Sequence, residues 1–213
     1  SLEILSYLKD NNLDGEVLHG SNKYIIERIN ALINTQSKYN YGVIGKPSDW
    51  LIASNINYQT AYDLYSAKII DIPIDELIEI YDKIDINDYD KDYEFIFDEK
   101  ELENAKRLYL ALRKLVLKYD LNGLTIRCFD LLSTLKTTSC LGLSLLNNDN
   151  IVATCEGDQA SMISMHILNQ VASCPGFQAN PSRIDIKNKK MVLAHCTLPL
   201  NMCESYKLDT HFE

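Results

Sequence analysis

The chain has no run of about 18 apolar residues, which excludes a reading as a transmembrane helix. Its start lacks the basic, apolar and small-residue succession of a secretory signal. Cysteine is absent before residue 128, and none of the six cysteines (Cys128, Cys140, Cys155, Cys174, Cys196 and Cys203) forms a C-x-x-C pair. That spacing excludes a zinc ribbon or a thioredoxin-type motif, and the apolar settings of most of them point to buried free thiols. Positive charge is scattered, and the net charge of −9 argues against an extended nucleic-acid-binding face. No internal repeat or low-complexity tract occurs. What is present is ordinary for a globular chain: 213 residues with 46% hydrophobic and 24% charged content, enough for one large or two small domains with a core. An initiator Met is also missing, and an amphipathic helix begins at once. The expectation is a piece of a longer protein, lacking N- and C-terminal parts.

Hydrophobic periodicity sets out alternating elements. Leu2 to Leu8 has helical spacing, Glu16 to His19 reads as a short strand, and Ser21 caps a helix running to about Asn34. Strands follow at 41–45 and 68–72, with helices at about 58–67 and 74–81. A strongly acidic stretch from Asp82 to Glu101 leads into a helix from about Glu99 to Tyr119. Leu124 to Cys128 reads as a strand, whereas 140–146 fits either a helix or a strand. A helix follows Glu156 to about Ala172, and 184–186 with 191–193 forms a hairpin. Strands alternating with helices imply an α/β fold, a three-layer sandwich with a mainly parallel sheet plus a second α/β or mixed-sheet segment. The division expected is an α/β part over 1–95 and a second over 96–213 that carries the site.

Three polar residues follow short apolar runs: Glu156 after 151–155, Asn180 after 176–179, and His195 after 191–194. Ligands of open α/β sheets gather at the carboxyl ends of strands. A carboxylate, an amide oxygen and an imidazole there could share one divalent cation. Each has a plain structural alternative: a helix-capping Glu, a loop Asn before Pro181, a satisfied core His. Asp158 is either a first-turn helix acid or an auxiliary acid. Arg127 either pairs with an acid such as Asp158 or Asp185 or faces a ligand. The loop Lys46-Pro47-Ser48-Asp49-Trp50 could hold an anion or a sugar hydroxyl, but it lacks P-loop spacing. Asp88, Asp90, Asp92 and Glu99 copy EF-hand ligand positions, but Tyr93 stands where the turn needs glycine, so a solvated loop is the stronger reading. His166 is expected to be structural.

Taken together, the segments 155–158, 179–185, 193–196 and 45–54 resemble the L-fucose isomerase-like proteins of the L-fucose/L-arabinose isomerase superfamily. The resemblance spans about residues 15–213 and would place the chain mainly in the family's middle α/β domain. It implies an aldose–ketose isomerase acting through an enediol, with Mn2+ or another divalent cation. It also implies a cytoplasmic homo-oligomer acting on a small sugar, with no nucleic-acid or membrane partner. Glu156 and His195 match the family's metal ligands, whereas Asn180 stands where an Asp is usual. Glu156 and Asp158 are then the expected catalytic residues, Glu156, Asn180 and His195 the metal ligands, and Arg127, Ser48 and Trp50 the substrate contacts. The substitution at 180 keeps a non-catalytic sugar-binding or regulatory relative as an alternative. Six cysteines in one half also admit thiol-based redox chemistry.

Overall fold

The computed structural model describes residues 2–34, 38–91, 93–172 and 174–210. It divides into two compact units, residues 1–37 and 38–213. The first holds α1 (Leu2–Asp10) and α2 (Asn22–Asn34). Ser21 caps α2, its Oγ accepting from the Tyr24 N–H at 3.2 Å. The expected strand over 16–19 does not form. A strand needs a neighbour for its backbone groups, and Glu16 instead holds Arg28 of α2 through Nε at 2.8 Å and Nη2 at 2.6 Å.

The second unit is built on a four-stranded parallel sheet of order β2-β1-β3-β4. Its strands are β1 (Tyr39–Ile44), β2 (Ala67–Ile72), β3 (Gly123–Ile126) and β4 (Val152–Cys155). The helices α3 (Tyr58–Tyr65), α4 (Ile74–Asp82), α5 (Glu99–Tyr119), α6 (Phe129–Thr134), α7 (Cys140–Asn148) and α8 (Gln159–Ala172) connect and flank them. A two-stranded antiparallel sheet, β5 (Asn180–Asp185) with β6 (Lys190–Ala194), follows. The α/β expectation therefore holds. Strands from both sides of residue 95 share the one parallel sheet.

Alternation along the strands sends side chains to both faces. One face joins Ile44, Ile72, Leu124, Ile126 and Ala153 to Leu108, Leu112 and Leu143 of α5 and α7. The other joins Tyr39, Tyr41 and Val152 to Met162 and Met165 of α8. Helix α7, undecided from sequence, is buried continuously from Leu141 to Asn147. Such a segment shows no polar face, which is why its period was illegible. His166 lies at 4.2 Å and 5.2 Å from the Tyr39 and Tyr41 ring centroids, and burial pushes its pKa down to about 4.

Strand β4 ends the sheet, and side-chain amides occupy its open edge. Asn147 donates to the Ala153 carbonyl at 2.7 Å and accepts from the Ala153 N–H at 2.9 Å. Gln178 accepts from the Cys155 N–H at 2.7 Å and donates to its carbonyl at 3.4 Å. Gln178 lies in the segment before β5, so this pair ties the hairpin to the sheet. Residues 176–179 form no strand, because Gln178 satisfies β4 with its side chain. Asn180 begins β5 rather than ending a strand.

The acidic stretch forms a 3-10 turn at Ile86–Asp88, and Asp90 pairs with Arg113 of α5 at 2.9 Å. Asp92 lies outside the described residues. All six cysteines are free. Cys128 and Cys155 are buried as expected, whereas Cys174 and Cys196 are exposed.

Candidate functional site

The sheet order turns at β1 and β3, since β2 lies on one side of β1 and β3 on the other. Loops leaving such neighbouring strands open a crevice at their carboxyl ends. Here those loops are 45–50 after β1 and 127–130 after β3, with 156–158 after β4 beside them.

Glu156 takes a left-handed backbone conformation, φ 65°, and Gly157 follows at φ 66°. The first is uncommon for a residue with a Cβ and marks a position held by its surroundings. The second requires glycine for another reason as well. A Cβ on Gly157 would lie 2.9 Å from the Lys46 carbonyl oxygen and 2.9 Å from Pro47 Cα. The two loops therefore touch backbone to backbone, and the turn directs the Glu156 side chain toward Trp50. The indole Nε1–H donates to Glu156 Oε2 at 3.3 Å.

His195 approaches Glu156 from the end of the hairpin, with Nε2 at 3.9 Å from Oε1. Its other ring nitrogen, Nδ1, faces Thr197 Oγ1 at 3.3 Å and Cys196 Sγ at 3.6 Å. The Cys196 contact raises the His195 pKa; burial opposes this, and the negative charges of Glu156 and Asp158 add to it. The His195 side chain is only 7% exposed and that of Glu156 26%.

Arg127 lies over the Trp50 ring, 4.9 Å from its centroid. Its partners are Asp49 at 3.1 Å and Asp130 at 3.1 Å, not Asp158 or Asp185. Position sets this choice, because Asp130 is one turn along the chain and Asp49 is beside Trp50. Phe129 meets the indole edge-on at 5.7 Å. Ser48 is buried, 1% exposed, and its Oγ has no hydrogen-bond partner.

The remaining expected residues sit at the margin. Asp158 caps α8, accepting from the Ser161 N–H at 2.8 Å and the Ser161 hydroxyl at 2.6 Å. Asp185 accepts from Asn188 in the hairpin turn. Asn180 is exposed and pairs in register with Ala194, the residue before His195. Among the described residues no group of three or more His, Cys, Asp or Glu is arranged to hold a metal ion.

The chain is 28% identical over 101 residues to a sulfoquinovose isomerase of Alkalicoccus urumqiensis. The aligned region covers 46% of this chain and 23% of that protein, so the chain spans less than a quarter of that relative. No family model matches the chain. Within the chain, Glu156, His195, Trp50 and Arg127 gather at the carboxyl ends of β1, β3 and β4.

Three features around the site were not anticipated from the sequence. Gln178 and Asp130 carried no signal beyond being polar residues near turns. The stacking of Arg127 on Trp50 depends on β1 and β3 being neighbours, which spacing along the chain does not state.

Proposed function

We propose that this chain carries part of the active site of a metal-dependent sugar isomerase, an enzyme interconverting an aldose and a ketose through an enediol. The observation that carries the reading is the approach of His195 to Glu156, supported by similarity to a sugar isomerase. Two donor atoms each about 2.1 Å from one ion lie at most about 4.2 Å apart. The 3.9 Å between Nε2 and Oε1 satisfies that limit. The Thr197 contact at Nδ1 leaves Nε2 as the nitrogen facing the crevice, the usual outer support of a ligating imidazole. Asn180 would complete the set with an amide oxygen, suiting a hard cation such as Mn2+. A bound cation would polarise the carbonyl and hydroxyl oxygens of the sugar.

The chain's own residues supply the rest. Glu156 takes the carbon-bound proton from C2 and returns it to C1 on the same face, while the hydroxyl proton moves from O2 to O1. One carboxylate suffices for a same-face transfer, which accommodates Asn180 in place of an acid. The Trp50 N–H holds Glu156 Oε2 in place, leaving Oε1 toward His195. Trp50, 49% exposed, offers its face to the sugar, and Arg127 and the Ser48 loop bound the same crevice. Asp158 serves as an auxiliary charge near His195.

The whole enzyme assayed with Mn2+ on a panel of aldoses and ketoses tests this. Turnover that Glu156→Gln lowers by about 1000-fold or more supports the isomerase. Sugar binding without turnover supports the second reading, a non-catalytic sugar binder, which the amide at Asn180 favours.

A further inference from the structure

Four cysteines cluster beside the candidate site, and the sugar chemistry proposed above assigns a role to none of them. Cys128, at the start of α6, and Cys155, at the end of β4, are each 2% exposed, and their sulfurs lie 2.9 Å apart. Cys155 immediately precedes Glu156. Cys196 lies against Cys155 and Cys140, and it lines a cavity of about 610 Å3 together with Cys140, Leu102, Leu141 and Tyr206. The buried pair therefore neighbours an exposed cysteine at a cavity wall.

We propose that Cys128 and Cys155 are a reversible dithiol/disulfide pair beneath Glu156, oxidised by a peroxide through Cys196. Cys196 attacks the peroxide: an S–O bond forms, the O–O bond breaks, and the sulfur is oxidised to a sulfenic acid as hydroxide leaves. The Cys155 thiol displaces that oxygen as water, forming an S–S bond with Cys196. Cys128 then attacks the Cys155 sulfur, and Cys196 departs and regains a proton. In sum, two thiols and one peroxide give one disulfide and two water molecules. The bridge joins the ends of β3 and β4 and fixes the residue before Glu156, so the oxidation state reaches the seat of that carboxylate. The proposal does not depend on the sugar isomerase reading, and its test uses neither metal nor sugar.

Trp50 is the single tryptophan of the chain and hydrogen-bonds to Glu156, so its emission reports on this seat. The protein is treated with hydrogen peroxide, alkylated, and mapped by mass spectrometry without reduction. The expected result is a Cys128–Cys155 bridge with a change in Trp50 emission, both reversed by dithiothreitol. Cys196→Ser should slow bridge formation at least tenfold, and Cys128→Ala should trap a Cys155–Cys196 bond. Cys155→Ala combined with Cys140→Ala, a second variant in case the first does not fold, removes both thiols that lie against Cys196 and should leave it as a sulfenic acid that dimedone labels. A bridge absent from the wild type, or one that forms at an unchanged rate in Cys196→Ser, overturns the proposal.

Discussion

Glu156 and Gly157 both occupy left-handed backbone states, but for different reasons. Glu156 pays a conformational penalty of about 1 kcal/mol to place its carboxylate, and glycine at this position avoids that penalty. Glu156→Gly should therefore be more stable than Glu156→Ala by about 0.5–1 kcal/mol in urea unfolding. Equal stability would deny that the backbone is held in this state. Gly157→Ala meets both the φ penalty and the backbone of Lys46 and Pro47, and a loss of about 2–4 kcal/mol is expected. Removing the indole donor with Trp50→Phe should lower turnover by roughly tenfold with little change in stability, because the ring packing on Phe129 and Arg127 remains. A variant with unchanged turnover would show that the hydrogen bond to Glu156 does not serve the chemistry.

The elements differ in how far they could be read from the chain. Helices α5 and α8 were legible because one face of each meets a core at a 3.6-residue period, whereas α2 was legible from its apolar spacing although Ile26, Ile29 and Ile33 stay exposed. The β5–β6 hairpin was legible from two short apolar segments on either side of the polar turn 187–190. The supposed strand at Glu16 was not, because pairing depends on a neighbour that sequence does not show. Glu156 and His195 were found as residues following apolar strands. Their meeting depends on the hairpin being tied to β4 by Gln178, a contact between segments 23 residues apart. Gln178→Ala leaves the Cys155 N–H without its partner and should cost about 1–3 kcal/mol, read by denaturant unfolding. Helix α8 also carries a pH dependence. With a folded pKa near 4 and an ordinary value of 6.5, His166 binds a proton more readily unfolded than folded. Stability should fall as pH drops from about 6.5 toward 4, by roughly 1–3 kcal/mol, and His166→Phe should flatten that limb.

At the scale of the molecule, both core clusters of the second unit draw on residues from Tyr39 onward. A chain beginning at residue 38 should therefore unfold in one cooperative transition, as monitored by circular dichroism. A gradual, non-cooperative loss of signal would assign residues 1–37 a part in that core's stability. If the Glu156–His195 pair holds a cation in this chain alone, Mn2+ at 100 times its dissociation constant should add about 2.7 kcal/mol. That corresponds to a Tm rise of about 5–10 °C, abolished in His195→Ala.

The amides of Asn147 and Gln178 along β4 have a further consequence. They fill the positions an incoming strand would use, and they do so at both Ala153 and Cys155. Another chain cannot extend the parallel sheet past β4 without first displacing two side chains that already satisfy its backbone. Edge-to-edge polymerisation is thus blocked on the side that carries Glu156, and any lengthening of the sheet is directed to β2 at the opposite border.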